Sequence, residues 1–480
     1  APDDDAEITL LYVNQDGSGD YATIQAAIDA VPDGNRGIIY IAPGVYDENI
    51  YCGTKQKHDK FISLIGEDAE STILTSSVDR GSANSGNKYT DCAALNVFTS
   101  RFYAENLTIR NTSGNVGQAE ALYICADAHI LKDCILSGYQ DTYKSNVGGR
   151  GYFTGCTISG ATDFIYDGGL EWFDNCKIVC VKGGGYITAP ADAWLSLSRV
   201  VYPELTDAKF YAGLFFRDCD ITAEDGVAAG AYYLGRPWKE KSGSMFIKCR
   251  LGSHINTLGW KNWNGAENSS SLYEYKNTDA SGNLIATDGR ASFSRQANDE
   301  EFEKYMNPEF LFSKASKVPF DHTAILAGVA APEKFVVTPS AFSWESDGAA
   351  AGYIVYRDGK FVKITSDANF DLPEGDSASD YSVAAVSRHG VTTDPVKVAK
   401  SQRPLAFPTA EGFGKYATGG RGGKVVKVTS LADDTSEGTL RWAFQQYKDE
   451  PITIVFEVSG EIRLASDLRV NRKNWTLAGQ

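Results

Sequence analysis

Apolar residues between residues 37 and 112 fall into short runs separated by Gly, Asn, Asp and Ser. The runs are rich in Ile, Val, Leu and Phe, whereas the separators are the residues that favour turns. The intervals between them lack the helical patterns of about 10 to 15 residues that a doubly wound sheet needs. The pattern therefore predicts short β-strands joined by turns, in the segments GIIYIAPGVYDENI, FISLIGED, STILTSS and ALNVFTSRFYAENLTIRNT.

Five cysteines share one local pattern, in which an apolar residue is followed by two residues, the Cys, one residue and an aliphatic. The first three lie 22 and 20 residues apart, and the next gap of 43 fits two turns of a β-solenoid. We interpret them as small apolar residues stacked inside a solenoid, and the absence of a C-x-x-C pair argues against metal ligands. The segments are LKDCIL (131–136), FTGCTI (153–158), FDNCKI (173–178), FRDCDI (216–221) and FIKCRL (246–251).

A right-handed parallel β-helix is the architecture that these two patterns predict, over roughly residues 8–300 of a first domain at 1–325. One helix is predicted near the start of this β-helix, in YATIQAAIDAVPD (21–33). Ile24, Ala27, Ile28 and Val31 share a helical face there, and Pro32 ends the pattern. Such a helix would cap the open end of the solenoid, as terminal units must.

The pattern changes after a linker predicted at residues 326–333. Segments between 334 and 400 alternate apolar and polar residues at period two, with Asp358-Gly359 as a hairpin turn. This part resembles a fibronectin type III-like β-sandwich, for which a spacer and a sugar-binding role are both open. The whole chain is thus expected to be all-β: a parallel β-helix, a small β-sandwich and a partial β-rich C-terminal segment.

Residues 401–480 form that last segment, which begins with LAFPTAEGFGKYATGGRGGKVVKVTSL. Its glycines do not form a phosphate-binding loop, because Thr418 and Val425 stand where Gly and Ser or Thr are required. The segment resembles the opening of a pectate lyase of the parallel β-helix type. The sequence stops before calcium-binding acids or a catalytic arginine of such an enzyme, so we expect no lyase activity.

Composition narrows the function classes. The formal net charge of −16 leaves no surplus of Lys and Arg to neutralise phosphates, which argues against nucleic acid as a partner. No run of 18 apolar residues is present, so no membrane span is expected. The first residues, APDDDAE, contain no basic and apolar leader, which leaves open whether a signal peptide has been removed.

Two acids, Asp141 and Asp163, are the first candidates for chemistry. They lie 22 positions apart, which is about one solenoid turn, so they can be neighbours in space. Two carboxyl groups in unlike environments can divide acid–base and nucleophilic work, because one stays ionised while the other holds a proton. The alternative at this point is a pair of solvated turn aspartates.

The sequence gives little support for the catalytic motifs of other hydrolase classes. The sequence contains neither a G-x-S-x-G nucleophile elbow nor an H-E-x-x-H zinc motif. A β-helix polygalacturonase is the serious competitor, since it also uses carboxylates, and Asn277-Thr278-Asp279 imitates part of its signature. Its G-H-G and R-I-K strings are missing, so we interpret these three residues as a loop. A non-catalytic, polysaccharide-binding β-helix is the other alternative.

Five motifs match the pectin methylesterases in order and spacing, and the chain resembles that family over about residues 8–325. They are GVYDENI (44–50), GQAEAL (117–122), GYQDTYK (138–144), GATDFIYDGG (160–169) and YYLGRPWKE (232–240). The resemblance implies a secreted or periplasmic ester hydrolase that removes methyl groups from the galacturonate esters of pectin. It also implies catalysis without a metal or organic cofactor.

Roles for individual residues follow from the same resemblance. Asp163 would be the nucleophile, and Asp141 would protonate the departing methanol and later accept a proton from water. Gln118 and Gln140 would donate to the oxyanion of the tetrahedral intermediate. The resemblance further implies that Arg236 orients Asp163 and that Trp238, Tyr166 and Tyr139 line the substrate site.

This chain departs from the family pattern at a few of these positions. Tyr143 and Lys144 stand where leucine and tyrosine are common, and Tyr166 replaces a usual phenylalanine. Residues 167–169 read DGG in place of a G-N-A run. We expect these differences to affect substrate preference more than the chemical step, and Asp141 to have a higher pKa than Asp163. Demethylation exposes the carboxylates that a pectate lyase needs, so functional coupling to a lyase module C-terminal of this chain is also expected.

Overall fold

The computed structural model describes residues 5–54, 57, 59–83, 88–145, 148–191, 210–345, 348–398 and 417–479. The chain divides into two compact units, Ala1–Ala399 and Lys400–Gln480. The predicted boundary near residue 400, and the first residues of the predicted C-terminal segment up to 416, lie outside the described residues.

Three parallel sheets build the larger part of the first unit. From β2 to β24 the chain visits them in turn, so that every third strand returns to the same sheet. The all-β class and the parallel β-helix predicted from the sequence are therefore confirmed. Sheet 1 contains β1 (Ile8–Val13), β2 (Arg36–Ile41), β5 (Phe61–Gly66), β8 (Tyr103–Glu105), β11 (His129–Lys132), β14 (Arg150–Thr154), β17 (Leu170–Asp174), β20 (Leu214–Arg217), β23 (Gly243–Ile247), β25 (Ser271–Tyr275) and β26 (Arg295–Gln296).

The other two sheets complete each coil. Sheet 2 contains β3 (Gly44–Asp47), β6 (Thr72–Ser76), β9 (Thr108–Asn111), β12 (Ile135–Ser137), β15 (Thr157–Gly160), β18 (Lys177–Cys180), β21 (Asp220–Ala223) and β24 (Arg250–Leu251). Sheet 3 contains β4 (Ile50–Cys52), β7 (Leu95–Val97), β10 (Leu122–Ile124), β13 (Tyr143–Ser145), β16 (Thr162–Asp167), β19 (Tyr186–Pro190) and β22 (Tyr233–Gly235).

The cysteine pattern marks the corner between sheets 1 and 2. The residue before each of the five cysteines has a left-handed backbone, which Gly, Asn and Asp adopt more readily than other residues. Each Cys then turns into the core, where it is at most 2% exposed. The interpretation of these cysteines as stacked apolar residues is confirmed. The corner residues are Asp133, Gly155, Asn175, Asp218 and Lys248.

Identical positions of successive coils stack inside the helix. The rings of Phe153, Phe173, Phe216 and Phe246 form a continuous column with centroid separations of 4.7, 4.6 and 4.5 Å. Because the coils pair in register, a residue type placed one coil later lands directly on its predecessor. Because the same residue type recurs at the same position of each coil, a large apolar surface is buried in one continuous column.

Helices close the ends and one side of the β-helix. Helix α1 (Ile24–Ala30) buries Ile24, Ala27 and Ile28 against the first coils, as predicted, and Thr23 caps its N-terminus. A short α2 (Lys88–Cys92) precedes β7. After β26, helices α3 (Asp299–Tyr305), α4 (Pro308–Ala315) and α5 (His322–Ala327) follow, and Leu311 and Phe312 pack on the outer face of sheet 1. Short 3-10 helices span Ala266–Ser269 and Ala378–Asp380.

Residues 333–397 form two antiparallel sheets around Trp344 and Tyr381, which agrees with a β-sandwich. One sheet contains β27 (Glu333–Val337), β28 (Ala341–Glu345) and β31 (Asn369–Asp371). The other contains β29 (Ala350–Arg357), β30 (Lys360–Thr365), β32 (Tyr381–Ser387) and β33 (Val396–Lys397). The Asp358-Gly359 turn joins β29 to β30, and both residues have positive φ.

The sandwich packs against the first coils of the β-helix. The Phe361 ring lies between Tyr12 and Tyr40, with centroid separations of 4.1 and 4.5 Å. The hydroxyl and backbone N–H of Thr392 donate to the buried carboxylate of Glu105 at 2.9 and 3.2 Å. Contacts from strand β30 and from the segment between β32 and β33 hold the sandwich against sheet 1.

The second unit contains a three-stranded parallel sheet of β34 (Lys424–Val428), β35 (Ile452–Phe456) and β36 (Trp475–Ala478). Helix α6 (Leu440–Ala443) lies between β34 and β35 along the chain, and Ala443 is buried against Val428 and Ile454. Among the described residues of the whole chain, we find no helix with the length and apolar character that a membrane crossing needs.

Replacing Phe361 with alanine is expected to destabilise the first unit, because two aromatic stacking contacts are lost at the edge of the sandwich. We expect a decrease of about 2 kcal/mol in the free energy of unfolding, less than for a fully buried Phe. Urea unfolding followed by near-UV circular dichroism measures it. Val362→Ala, at a neighbouring position whose side chain is 40% exposed, serves as the control. Equal effects of the two substitutions would contradict the role of the stacking.

The cysteines provide a second test. The structure places all nine outside disulfides, with eight of them buried and Cys125 half-buried. We expect a thiol reagent to modify at most Cys125 quickly in the native protein, and all nine residues after denaturation without reductant. Fewer than nine thiols in the denatured protein would mean that disulfides are present.

Candidate active site

Asp141 and Asp163 occupy equivalent positions in consecutive coils. Gln140 forms a parallel bridge with Thr162, so the acids that follow them are adjacent in the stack. Both acids have left-handed backbones, with φ of 67° and 50°. That conformation costs a non-glycine residue about 1 kcal/mol or more, and such strain is concentrated at functional sites. The predicted proximity of the two acids is therefore present in the fold.

A pocket of about 290 Å³ opens beside these acids. Gln118 and Gln140 reach it from consecutive coils, where they too are paired in register. Of the residues predicted for the site, only Tyr139 is missing from its lining. The lining consists of Arg80, Gln118, Gln140, Asp141, Asp163, Tyr166, Ala189, Arg236, Trp238 and Trp263.

Arg236 binds Asp163 through two parallel hydrogen bonds. Its Nε donates to Oδ1 at 2.9 Å and a terminal nitrogen donates to Oδ2 at 2.7 Å. The guanidinium group is itself held between the rings of Tyr186 and Trp263, whose centroids are 3.8 and 4.0 Å away. This bidentate pairing fixes the orientation of the carboxylate, and the aromatic faces hold the cation in place.

The two acids differ in their electrostatic surroundings. Burial raises the pKa of Asp141 well above its ordinary value, and the nearby carboxylates of Glu120 and Asp163 raise it further, against the opposing effect of Arg80. Burial also raises the pKa of Asp163, but the hydrogen bonds and charge of Arg236 oppose that increase. The pKa of Asp141 is thus raised more than the pKa of Asp163, as expected. Burial is a larger cause of the Asp141 shift than the neighbouring carboxylates are.

Sequence reasoning missed Arg80 and Glu120. A terminal nitrogen of Arg80 lies 3.1 Å from Asp141 Oδ2, and its Nε donates to Glu120 Oε2 at the same distance. Arg80 belongs to the loop after β6 and falls outside every recurring pattern in the sequence. Glu120 is fully buried inside the GQAEAL motif, and its isolated charge between two alanines was the available signal.

Of the two tyrosines that the resemblance places at the substrate site, Tyr166 lines the pocket and Tyr139 does not. Tyr166 lines the pocket, but its hydroxyl donates to Glu120 and contacts Arg80 rather than facing the open cleft. The ring of Tyr166 meets Trp238 edge to face at 6.1 Å. The hydroxyl of Tyr139 donates to the backbone carbonyl of Lys182 at 3.0 Å.

Lys144, which stands where the family commonly has tyrosine, lies close to the pocket residue Tyr166. It pairs with Asp167, and burial lowers its pKa to about 8. Its ammonium lies 5.0 Å from the ring centre of Tyr166. The substitutions at residues 144, 166 and 167 therefore change one connected group behind the pocket.

The residues that imitate a polygalacturonase signature lie elsewhere. Asn277 donates to the buried Glu274 at 3.1 Å, and Asp279 accepts backbone hydrogen bonds from the turn that follows it. None of Asn277, Thr278 and Asp279 lines the pocket that contains the paired acids. They form a structural loop, as interpreted from the sequence.

Comparison with known proteins identifies the family. The Pectinesterase family model matches residues 10–314, which is more than half of the chain. The chain belongs to the pectinesterase family. It is accordingly an enzyme of the carboxylic ester hydrolase class, and the resemblance over residues 8–325 is confirmed.

Named relatives agree with this assignment. Pectinesterase 31 of Arabidopsis thaliana is 33% identical over 318 residues, which cover 64% of this chain and 93% of that protein. Pectinesterase 2 of Citrus sinensis is 34% identical over 277 residues, covering 56% of this chain and 51% of the other. The match spans about half of several relatives, among them probable pectinesterase/pectinesterase inhibitor 41 of Arabidopsis thaliana at 48%.

Solved structures support the fold of the pectinesterase part. Pectin methylesterase from carrot aligns with a TM-score of 0.55 and 28% identity, covering 65% of this chain and 97% of that one. Pectin methylesterase from Aspergillus niger aligns with a TM-score of 0.54 and 27% identity, with the same coverage. The resemblances of the later residues to a fibronectin type III-like module and to a pectate lyase are not borne out by these comparisons.

The raised pKa of Asp141 has a consequence for stability. The folded state retains a proton on this carboxyl at pH values where the unfolded chain has released it. The free energy of unfolding should therefore fall as pH rises from the ordinary value of 3.8 through the folded value. Asp141→Asn is expected to raise stability at pH 7 but not at pH 4, and to leave the smaller slope that Asp163 contributes.

Urea unfolding at several pH values measures this difference. Asp47→Asn, at an exposed position on β3, is the control. A loss of stability at pH 7 in Asp141→Asn would contradict the argument.

Proposed function

We propose that this enzyme removes methyl groups from methyl-esterified galacturonate units of pectin and releases methanol. The main support is one observation: the two acids, two glutamines and arginine of the family-like motifs meet in a single pocket. The similar carrot and Aspergillus niger proteins are pectin methylesterases. This similarity supports pectin as the substrate.

Asp163 is the proposed nucleophile. Its pairing with Arg236 favours the ionised form and fixes the orientation of the carboxylate beside the pocket. A carboxylate oxygen attacks the carbonyl carbon of the methyl ester and forms a tetrahedral intermediate. The amide groups of Gln118 and Gln140 are the proposed donors to the resulting oxyanion, where loss of one donor commonly costs about 10²- to 10³-fold in rate.

Asp141 is the proposed acid and base. Burial favours its protonated form before the reaction, so it can give a proton to the methoxy oxygen as the carbon–oxygen bond breaks. Methanol leaves, and the acyl group remains attached to Asp163 as an anhydride. The ionised Asp141 then takes a proton from water while the hydroxyl adds to the acyl carbon. The intermediate collapses, Asp163 is released as a carboxylate, and the galacturonic acid product ionises in solution.

Trp238 is the proposed wall against the sugar ring. It lines the same pocket and is half-buried, so part of its ring remains accessible to a ligand. Aromatic faces bind the apolar faces of sugars and small methyl groups through dispersion contacts. Trp263 lines the pocket on the side of Arg236 and is a second candidate for this role.

Action outside the cytoplasm is part of the proposal, since plant cell-wall pectin is an extracellular polymer. Secretion or periplasmic location is the expected route. Functional coupling to a lyase module beyond the C-terminus remains a prediction, based on the carboxylates that demethylation exposes. The sandwich is proposed to act as a structural support, because it packs on the first coils through Phe361 and Thr392.

Methanol release from highly methylated pectin tests the proposed function. Asp163→Asn should decrease the rate by about 10³-fold or more, because an amide is not a nucleophile for this reaction. Asp220→Asn is a matched control, since Asp220 forms a similar two-bond pair with Arg250 on sheet 2, away from the pocket. That control should retain nearly full activity.

Two outcomes would contradict the proposal. One is an Asp163→Asn variant that releases methanol at the wild-type rate. The other is wild-type protein that produces new reducing ends from pectin and no methanol, which would favour cleavage of the glycosidic bond instead.

A further inference from the structure

A second ion pair stands directly behind the proposed acid. Arg80 contacts Asp141 with one terminal nitrogen at 3.1 Å, and the same guanidinium binds both carboxylate oxygens of Glu120. The Glu120 side chain is fully buried, and the hydroxyl of Tyr166 and the thiol of Cys92 also donate to it. Glu120 is therefore a buried side chain that accepts hydrogen bonds from several donors, which offset its loss of hydration.

Hydrogen bonds to the backbone fix this pair in place. The side-chain amide nitrogen of Asn111 lies 2.9 to 3.0 Å from the carbonyl oxygens of Val78, Cys92 and Glu120, and its two hydrogens are shared among them. The N–H of Arg80 donates to the carbonyl of Gln118 at 2.9 Å. The loop that contains Arg80 is thus attached to the strand segment that contains Glu120 and one proposed oxyanion donor.

The charges around Asp141 nearly balance. The groups that face it or its immediate partners are Arg80, Glu120, the Lys144–Asp167 pair, the Asp163–Arg236 pair and the hydroxyl of Tyr166. When Glu120, Asp163 and Asp167 are ionised, their three negative charges are matched by the positive charges of their partners. These partners are Arg80, Arg236 and Lys144. A protonated Asp141 leaves this group neutral, and an ionised Asp141 adds one negative charge, which Arg80 contacts at 3.1 Å.

We infer that Arg80 and Glu120 act together as positioning residues for Asp141, so that this carboxyl can serve as an acid in the first step and a base in the second. The inference rests on the proposed function. Arg80 alone would hold Asp141 ionised and prevent proton donation. Glu120 alone would hold it protonated and prevent proton abstraction from water. Together they orient the carboxyl and present little net charge to it.

The two partners therefore have opposite effects that a merely structural role would not produce. In Glu120→Gln, a near-isosteric change, Arg80 loses its carboxylate and should shift the titration of Asp141 to lower pH. In Arg80→Gln, Glu120 remains and should shift it to higher pH. We expect about one pH unit in each direction, typical of a single charge at this distance. The double variant should titrate between the two.

Two readouts measure the shift in the full chain. The first is the pH dependence of kcat/KM for methanol release, whose alkaline limb follows loss of the proton from Asp141. The second is the infrared band of the protonated carboxyl, identified as the band that Asp141→Asn lacks, and it needs no activity. Arg80→Lys should keep the titration near that of wild type, because the charge is retained.

Arg217→Gln is the matched control. Arg217 forms a two-bond pair with Asp174 on sheet 1, and neither residue lines the pocket. Near-UV circular dichroism establishes that each variant is folded, and Glu120→Gln alone suffices for the sign of the shift if Arg80→Gln does not fold.

The outcomes separate this inference from the proposed function. Shifts of opposite sign in the two single variants support it, even if wild-type protein releases no methanol and the proposed function fails. Shifts of the same sign, or titrations as unchanged as in Arg217→Gln, overturn it. In that case the proposed function still stands if methanol release depends on Asp163.

Discussion

In-register stacking of parallel coils is the constraint on which this structure depends. Each strand pairs with the strand one coil earlier at fixed positions, so side chains about 20 residues apart in sequence are neighbours in space. The same rule builds the phenylalanine column inside the helix and brings Gln118 beside Gln140 and Asp141 beside Asp163 outside it. Core and active site thus follow from one repeat.

This dependence explains how much of the fold could be predicted from the sequence. The recurring Cys pattern identified the coil length, because its corner requires a left-handed residue followed by a small buried one. Helix α1 followed from the spacing of Ile24, Ala27 and Ile28. The two acids and Arg236 were found through motif order, since a pattern within one coil does not show which residues of other coils face it.

What sequence reasoning missed lies outside the repeat. Arg80 comes from the loop after β6, and the position of that loop depends on hydrogen bonds such as those of Asn111. The hydroxyl of Tyr166 is likewise bound to Glu120 and to Arg80 of that loop. Tyr139 belongs to the right motif, but its hydroxyl binds the backbone carbonyl of Lys182, two coils later along the chain. Loop-borne contacts of this kind have no period to detect.

The active site combines strong charges with burial, and the two effects oppose each other. Each buried carboxylate loses hydration, and a paired cation restores only part of that loss. Asp163 has its own arginine in a fixed two-bond geometry, whereas Asp141 shares Arg80 with Glu120. Burial together with this unequal sharing of cations gives two chemically identical side chains different electrostatic surroundings.

The position of the β-sandwich has a consequence for biosynthesis. Phe361 covers Tyr12 and Tyr40, so the first coils to emerge from the ribosome wait for more than 300 further residues before their outer face is covered. At about 5 to 20 residues per second, that interval is roughly 15 to 65 s. Nascent chains would display the apolar side chains of Ile38 and Ile65 throughout this time, which makes the amino-terminal strands the natural target for chaperones during translation.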